Sequence, residues 1–113
     1  MTHVSLYLLL LALPSACTSD ASGGSVDGPT IFTTMCATCH GPTGQPPASM
    51  VAQLRVKDLT SAELRARITP ALVEHQIRTG SENKLMPSFQ GVLKDEQIKA
   101  VSAYVASPGF IAR

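Results

Sequence analysis

Two cysteines three positions apart, with a histidine directly after the second, constrain this chain more than any other feature: Cys36-Ala37-Thr38-Cys39-His40. Near a helix end, thiols at that spacing lie on one side of the backbone, where both can add to the two vinyl groups of a porphyrin. The next residue then aims an imidazole at the iron from the same face. This is the attachment pattern of covalent haem c, one group per pentapeptide. Two other readings compete. A dithiol redox centre needs only the cysteines, and structural zinc needs four ligands, normally from a second Cys or His pair. Downstream of the pentapeptide there is one further histidine, His75, and no further cysteine.

A chain of this size needs such a group. Its 113 residues allow one domain, and loss of a leader brings it below about 100 residues, where a lone hydrophobic core is marginal. Aromatic residues make up only 4%, with no Trp. A Cys36–Cys39 disulfide closes too small a loop to staple a domain. Burying several hundred Å² of macrocycle at ~25 cal/mol per Å² contributes on the order of 10 kcal/mol before costs. The formal net charge is +1 and evenly spread, which excludes a nucleic-acid footprint and implies weak long-range steering of partners.

Residues 4–13 form an almost unbroken apolar run, with leucine at positions 8–11. The run is too short to span a bilayer, which takes roughly 20 residues, and it fits the apolar region of an export signal over residues 1–16. Residues 13–17, Leu-Pro-Ser-Ala-Cys, resemble the lipobox of bacterial lipoproteins, in which cleavage leaves the cysteine N-terminal and lipid-modified. Pro14 departs from that pattern, and ordinary cleavage after Ala16 is the alternative. Residues 17–27 are polar and rich in Gly and Ser, the composition of a flexible tether. The folded domain is expected over residues 28–113, in an exported, periplasmic protein that Cys17 would anchor to a membrane.

In that domain, Pro/Gly loops separate helical stretches, and no period-2 alternation is sustained, so the fold is expected to be all-α with about four helices. The first runs from near Asp27, with Pro29 in its first turn, to about Cys39, its apolar face being Ile31, Phe32 and Met35. Residues 41–47 read as a loop. Thr60-Ser61-Ala62-Glu63 is a capping box for a short second helix. Thr69-Pro70 starts a third, with Leu72, Val73 and Ile77 inward and Gly80 as its C-cap. Asp95 opens the last, which presents Ile98, Val101, Tyr104 and Val105 on one face and ends near Ser107. Leu54, Leu59, Ile77 and Phe89 are candidate haem-pocket walls, as are Leu64, Ile68, Val73 and Leu85.

Electron-transfer haem iron commonly pairs His with Met. Met35 precedes the first attachment cysteine and falls on the wrong side of the ring. Met50 follows the proline loop and stays open as an alternative. Met86 sits in an irregular stretch stiffened by Pro87, which makes His40 and Met86 the expected axial pair. His75, between Glu74 and Gln76, reads as a solvated helix residue.

With these features in place, the chain resembles class I cytochrome c from Gly28 to the end of the last helix. In that family a Gly and an aromatic precede the first haem cysteine by eight and four residues, offsets that fall here on Gly28 and Phe32. An aromatic of the last helix, here Tyr104, packs against them. The resemblance implies one covalent haem c, transient docking to redox protein partners or residence in a larger redox complex, no small-molecule substrate and no catalytic turnover. It also implies that the backbone carbonyl of Pro46 or Pro47 accepts a hydrogen bond from the His40 ring. A haem sensor or peroxidase-like protein, with Met86 displaced from the iron, is the competing class.

Overall fold

The computed structural model describes residues 24–112. The export signal, Cys17 and the first part of the 17–27 linker lie outside the described residues. Six α-helices and a closing 3₁₀ turn make up the domain: α1 Gly28–Met35, α2 Ala37–His40, α3 Ala48–Leu54, α4 Ala62–Arg67, α5 Pro70–Thr79, α6 Asp95–Ala106 and the turn Pro108–Phe110. An isolated bridge between Gln90 and Leu93 is the only β-pairing among the described residues. Helix α6 packs against both α1 and α5.

The Asp27 carboxylate caps α1, accepting the Thr30 N–H at 3.1 Å, and Pro29 occupies the first turn, where its missing N–H leaves no orphan. Gly28 is buried against α6. A Cβ there would lie 2.6 Å from the Tyr104 Cβ and 2.7 Å from the Ala100 carbonyl oxygen, so only glycine lets the two helices approach this closely. Behind it Phe32 and Tyr104 pack edge-to-face with ring centroids 6.1 Å apart.

A third ring completes that contact, and nothing in the helical periodicity announces it. Phe110, in the 3₁₀ turn after α6, stands 5.1 Å from Phe32 and 5.3 Å from Tyr104, edge-on to both. The Arg65 guanidinium covers the Phe110 ring at 5.5 Å. Arg65 also donates to the carbonyls of Val105 (2.7 Å) and Ser107 (2.9 Å). It thereby satisfies acceptors at the end of α6 and ties α4 to that end.

Three features differ from expectation. The first helix does not run unbroken to Cys39. Cys36 departs to φ −118°, although His40 N–H still reaches the Cys36 carbonyl at 3.0 Å, and α2 continues to His40. Helix α3 directly follows the expected 41–47 loop, in a stretch for which no helix was expected: Pro47 is its N-cap with no side-chain cap bond, so the usual polar start signal is missing. The N-cap of α4 is Ser61, whose Oγ accepts the Leu64 N–H; Thr60 instead bonds back to Asp58. The count of about four helices therefore rises to six, through the break at Cys36 and the addition of α3. Thr69 and Gly80 cap α5 where expected; Lys94 stands at the N-cap of α6, with Gln97 Oε1 accepting the Lys94 N–H.

The linker is docked at its C-terminal end. Buried Gln97 donates to the Ser25 carbonyl at 3.1 Å, which ties the residues just before α1 to α6.

Gly28→Ala should separate α1 from α6 and destabilise the domain by about 1–3 kcal/mol, read as a lower urea midpoint. Gly24→Ala, where an added Cβ meets nothing within 4 Å, should leave the midpoint unchanged.

Candidate functional site

A cavity of about 490 Å³ lies among α1, α2, α4, α5, α6 and the segment after α5, within the range of cofactor pockets. Cys36, Cys39, His40 and Met86 all line it. Of the expected apolar walls, Leu54, Leu59, Leu64, Ile68, Val73, Ile77 and Leu85 line it too. Phe89 does not. It packs against the core, and its N–H donates to the Ile77 carbonyl at 2.9 Å, which binds the Met86 segment to α5 from behind. Pro46 and Pro47 are also absent from the lining. His75 is exposed, as expected for a solvated residue, yet it sits at the cavity rim.

The expected proline partner of His40 is corrected. His40 Nδ1 stands 3.0 Å from the Lys57 carbonyl oxygen. The Pro47 carbonyl is taken by the Met50 and Val51 N–H groups (3.0 and 3.2 Å), because Pro47 begins the unforeseen α3. Since a carbonyl only accepts, the bond puts the proton on Nδ1 and leaves the Nε2 lone pair for a metal. Burial also pushes the His40 pKa below its usual value, against the opposing pull of the Lys57 bond, and so favours the neutral, ligating imidazole.

Burial, with a smaller contribution from neighbouring Cys39, pushes the Cys36 thiol up to about 11. Redox dithiols run the other way, with an attacking sulfur activated as thiolate by a lowered pKa. The dithiol reading therefore loses its chemical basis at Cys36. For zinc, no group of three or more His, Cys, Asp or Glu among the described residues is arranged to hold a metal ion.

Met86 is held by its own loop. Ser81 N–H donates to the Met86 carbonyl at 3.0 Å, and Ser81 Oγ accepts the Met86 N–H at 3.0 Å. The same hydroxyl donates to Asn83 Oδ1, which also accepts the Leu85 N–H. Gly80 makes the approach possible. Its φ of +72° suits glycine, and a Cβ would lie 2.7 Å from the Met86 carbonyl oxygen. Met35 and Met50 lie outside the lining, so Met86 is the one methionine of the described residues that reaches the cavity.

The donor set fits a haem: two thiols, an oriented imidazole and a thioether in one largely apolar cavity of matching size. Relatives agree. The family model described as cytochrome C oxidase, cbb3-type, subunit III matches residues 26–105. Cytochrome c6 of Nostoc sp. is 35% identical over 103 residues, spanning 89% of this chain and 87% of its own. Cytochrome c6 of Euglena gracilis is 32% identical over 80 residues, spanning 69% and 85%. The solved KustC0563 c-type cytochrome superposes with a TM-score of 0.64 at 30% identity, covering 74% of this chain and 96% of that one. The chain belongs to the small class I c-type cytochromes. It is all-α, binds haem c covalently and is an electron-transfer protein.

Ser81→Ala should release the Met86 amide from its acceptor, a loss of about 1 kcal/mol. Its hydrogen-exchange rate, followed by NMR, should rise about fivefold; unchanged protection would contradict the bracing role of Ser81.

Proposed function

We propose that this cytochrome carries single electrons on one haem attached through Cys36 and Cys39, with His40 and Met86 as the two axial ligands, in a respiratory or related exported redox chain. The observation that carries the reading is that Met86, alone among the described methionines, shares a cavity with Cys36, Cys39 and His40.

When bound there, the haem supplies one-electron chemistry at iron. The protein's own residues do the rest. Lys57 holds the His40 ring and its tautomer, and the Ser81 bracket holds Met86. Were His40 and Met86 both to hold the iron, they would leave no site for peroxide or a gas, so the reading assigns no catalytic turnover and no small-molecule substrate. Leucine, isoleucine and valine side chains keep the surroundings apolar, which together with thioether ligation favours the ferrous state and a high potential.

Leu72 and Leu85 line the cavity and remain 48% and 46% exposed, giving a redox partner an apolar rim to dock against. Such encounters bury little area, typically below about 1,200 Å². Residues 1–16 would export the chain, and Cys17, once lipid-modified, would anchor it on the membrane by the 17–27 linker.

Met86→Ala should abolish the far-red sulfur-to-iron absorption band of the oxidised protein and open the ferrous iron to carbon monoxide, while Met50→Ala should do neither. Rapid carbon monoxide binding to the unmodified ferrous protein would overturn the six-coordinate assignment. Intact mass of the mature native protein reads Cys17 separately: a diacylglyceryl-modified N-terminal cysteine is expected, and an unmodified N-terminus would refute the anchor.

A further inference from the structure

Residues 80–94 join α5 to α6 and carry Met86, and no helix runs through them. Ser81 brackets Met86, but that bracket fixes the methionine only relative to its own loop. Holding Met86 at the cavity also requires the loop to be fastened to the helices. After Met86 the fastening falls on the last turn of α5. The Ser88 hydroxyl donates to the Arg78 carbonyl, and the Phe89 N–H donates to the Ile77 carbonyl at 2.9 Å. Both acceptors are backbone groups, so any residue at 77 and 78 would supply them.

The Arg78 side chain adds what the backbone cannot. Its guanidinium donates through Nε (3.1 Å) and Nη2 (2.9 Å) to Glu74 Oε1, one turn back on α5. Nη1 donates at 2.8 Å to Oδ1 of Asp95, the first residue of α6, and at 2.9 Å to Gln90 Oε1, inside the loop. One planar group therefore joins the helix that enters the loop, the helix that leaves it and a point between Met86 and α6. An ordinary surface ion pair, which contributes little, would account for Glu74 and Asp95. It does not account for Gln90, an uncharged and exposed residue whose amide has water as an alternative partner. Gln90 is tied a second time, its N–H donating to Ser88 Oγ at 3.3 Å.

We infer that Arg78 is a positioning residue for the axial methionine: its guanidinium closes the 80–94 loop at its base, pins Gln90 within it, and so holds Met86 at the cavity. This rests on the reading of Met86 as an iron ligand and adds what keeps it in place. A thioether is a soft ligand and holds ferric iron less firmly than ferrous, so a loosened loop shows first in the oxidised protein. An outside ligand enters there only when Met86 leaves, and its rate of entry counts local openings of the loop.

The test is stopped-flow binding of imidazole to the ferric holoprotein and its variants, with haem content and the far-red band recorded on every sample. Entry should be about fivefold faster in Arg78→Gln, and Gln90→Ala and Asp95→Asn should each move it in the same direction. The double variant Arg78→Gln/Gln90→Ala should be no faster than Arg78→Gln, because both changes break one contact. Arg78→Lys, with a single ammonium in place of the fork, should recover part of the parent rate. Glu74→Gln alters only a contact within α5 and should leave entry near the parent rate. Exchange of the Phe89 amide, followed by NMR, should quicken with imidazole entry and reads the loop without reference to iron. Parent entry rates and parent Phe89 protection in both Arg78→Gln and Gln90→Ala overturn the inference. So does a Glu74→Gln effect equal to that of Arg78→Gln, the mark of a pair that merely stabilises α5. Gln90→Ala changes one exposed side chain, so it decides the matter where Arg78→Gln fails to mature. A ferric parent without the far-red band would overturn Met86 ligation itself, and this role with it, before any variant is compared.

Discussion

Where α1 and α6 cross, an added Cβ on Gly28 would stand 2.6 Å from the Tyr104 Cβ and 2.7 Å from the Ala100 carbonyl oxygen, and the haem site inherits its geometry from that approach. Helix α1 delivers Phe32 and then Cys36 to the cavity, while α6 supplies Val101 and Val105 to the same wall. The Phe32, Tyr104 and Phe110 rings lock the crossing. Arg65 fastens α4 across its end. Relaxing the crossing would move Cys36 and Cys39 relative to the walls that face them.

The site is built so that its reactive atoms have little freedom. Lys57 fixes the His40 tautomer through one carbonyl. Ser81 brackets Met86 from both its N–H and its carbonyl, and Gly80 permits the bracket. An electron carrier gains from such rigidity, because iron that changes oxidation state without moving its ligands has little reorganisation to wait for.

Much of this was legible in the sequence because it is written in local chemistry. The pentapeptide needs no tertiary context, and the Gly28, Phe32 and Tyr104 set follows from fixed offsets along helices. Thr69-Pro70 and Gly80 mark the ends of α5 by their own dihedral demands. What stayed hidden depends on pieces brought together from afar. Phe110 lies past the last periodic helix, so its place in the aromatic cluster exists only after the chain turns back. The Lys57 carbonyl has no sequence signal as a backbone acceptor, and α3, begun by Pro47 without a polar cap, takes up the carbonyl of one of the two prolines expected in that role.

The central claim is that this small helical domain is organised around a covalently held haem. It is tested most directly by comparing thermal unfolding of the matured protein with that of a Cys36→Ser/Cys39→Ser chain recovered without haem, both followed by circular dichroism and hydrophobic-dye binding. The expected result is a single cooperative transition for the haem-bearing protein and a dye-binding, non-cooperative melt for the haem-free chain. A haem-free chain that unfolds cooperatively at the same midpoint, with no dye binding beforehand, would contradict the claim.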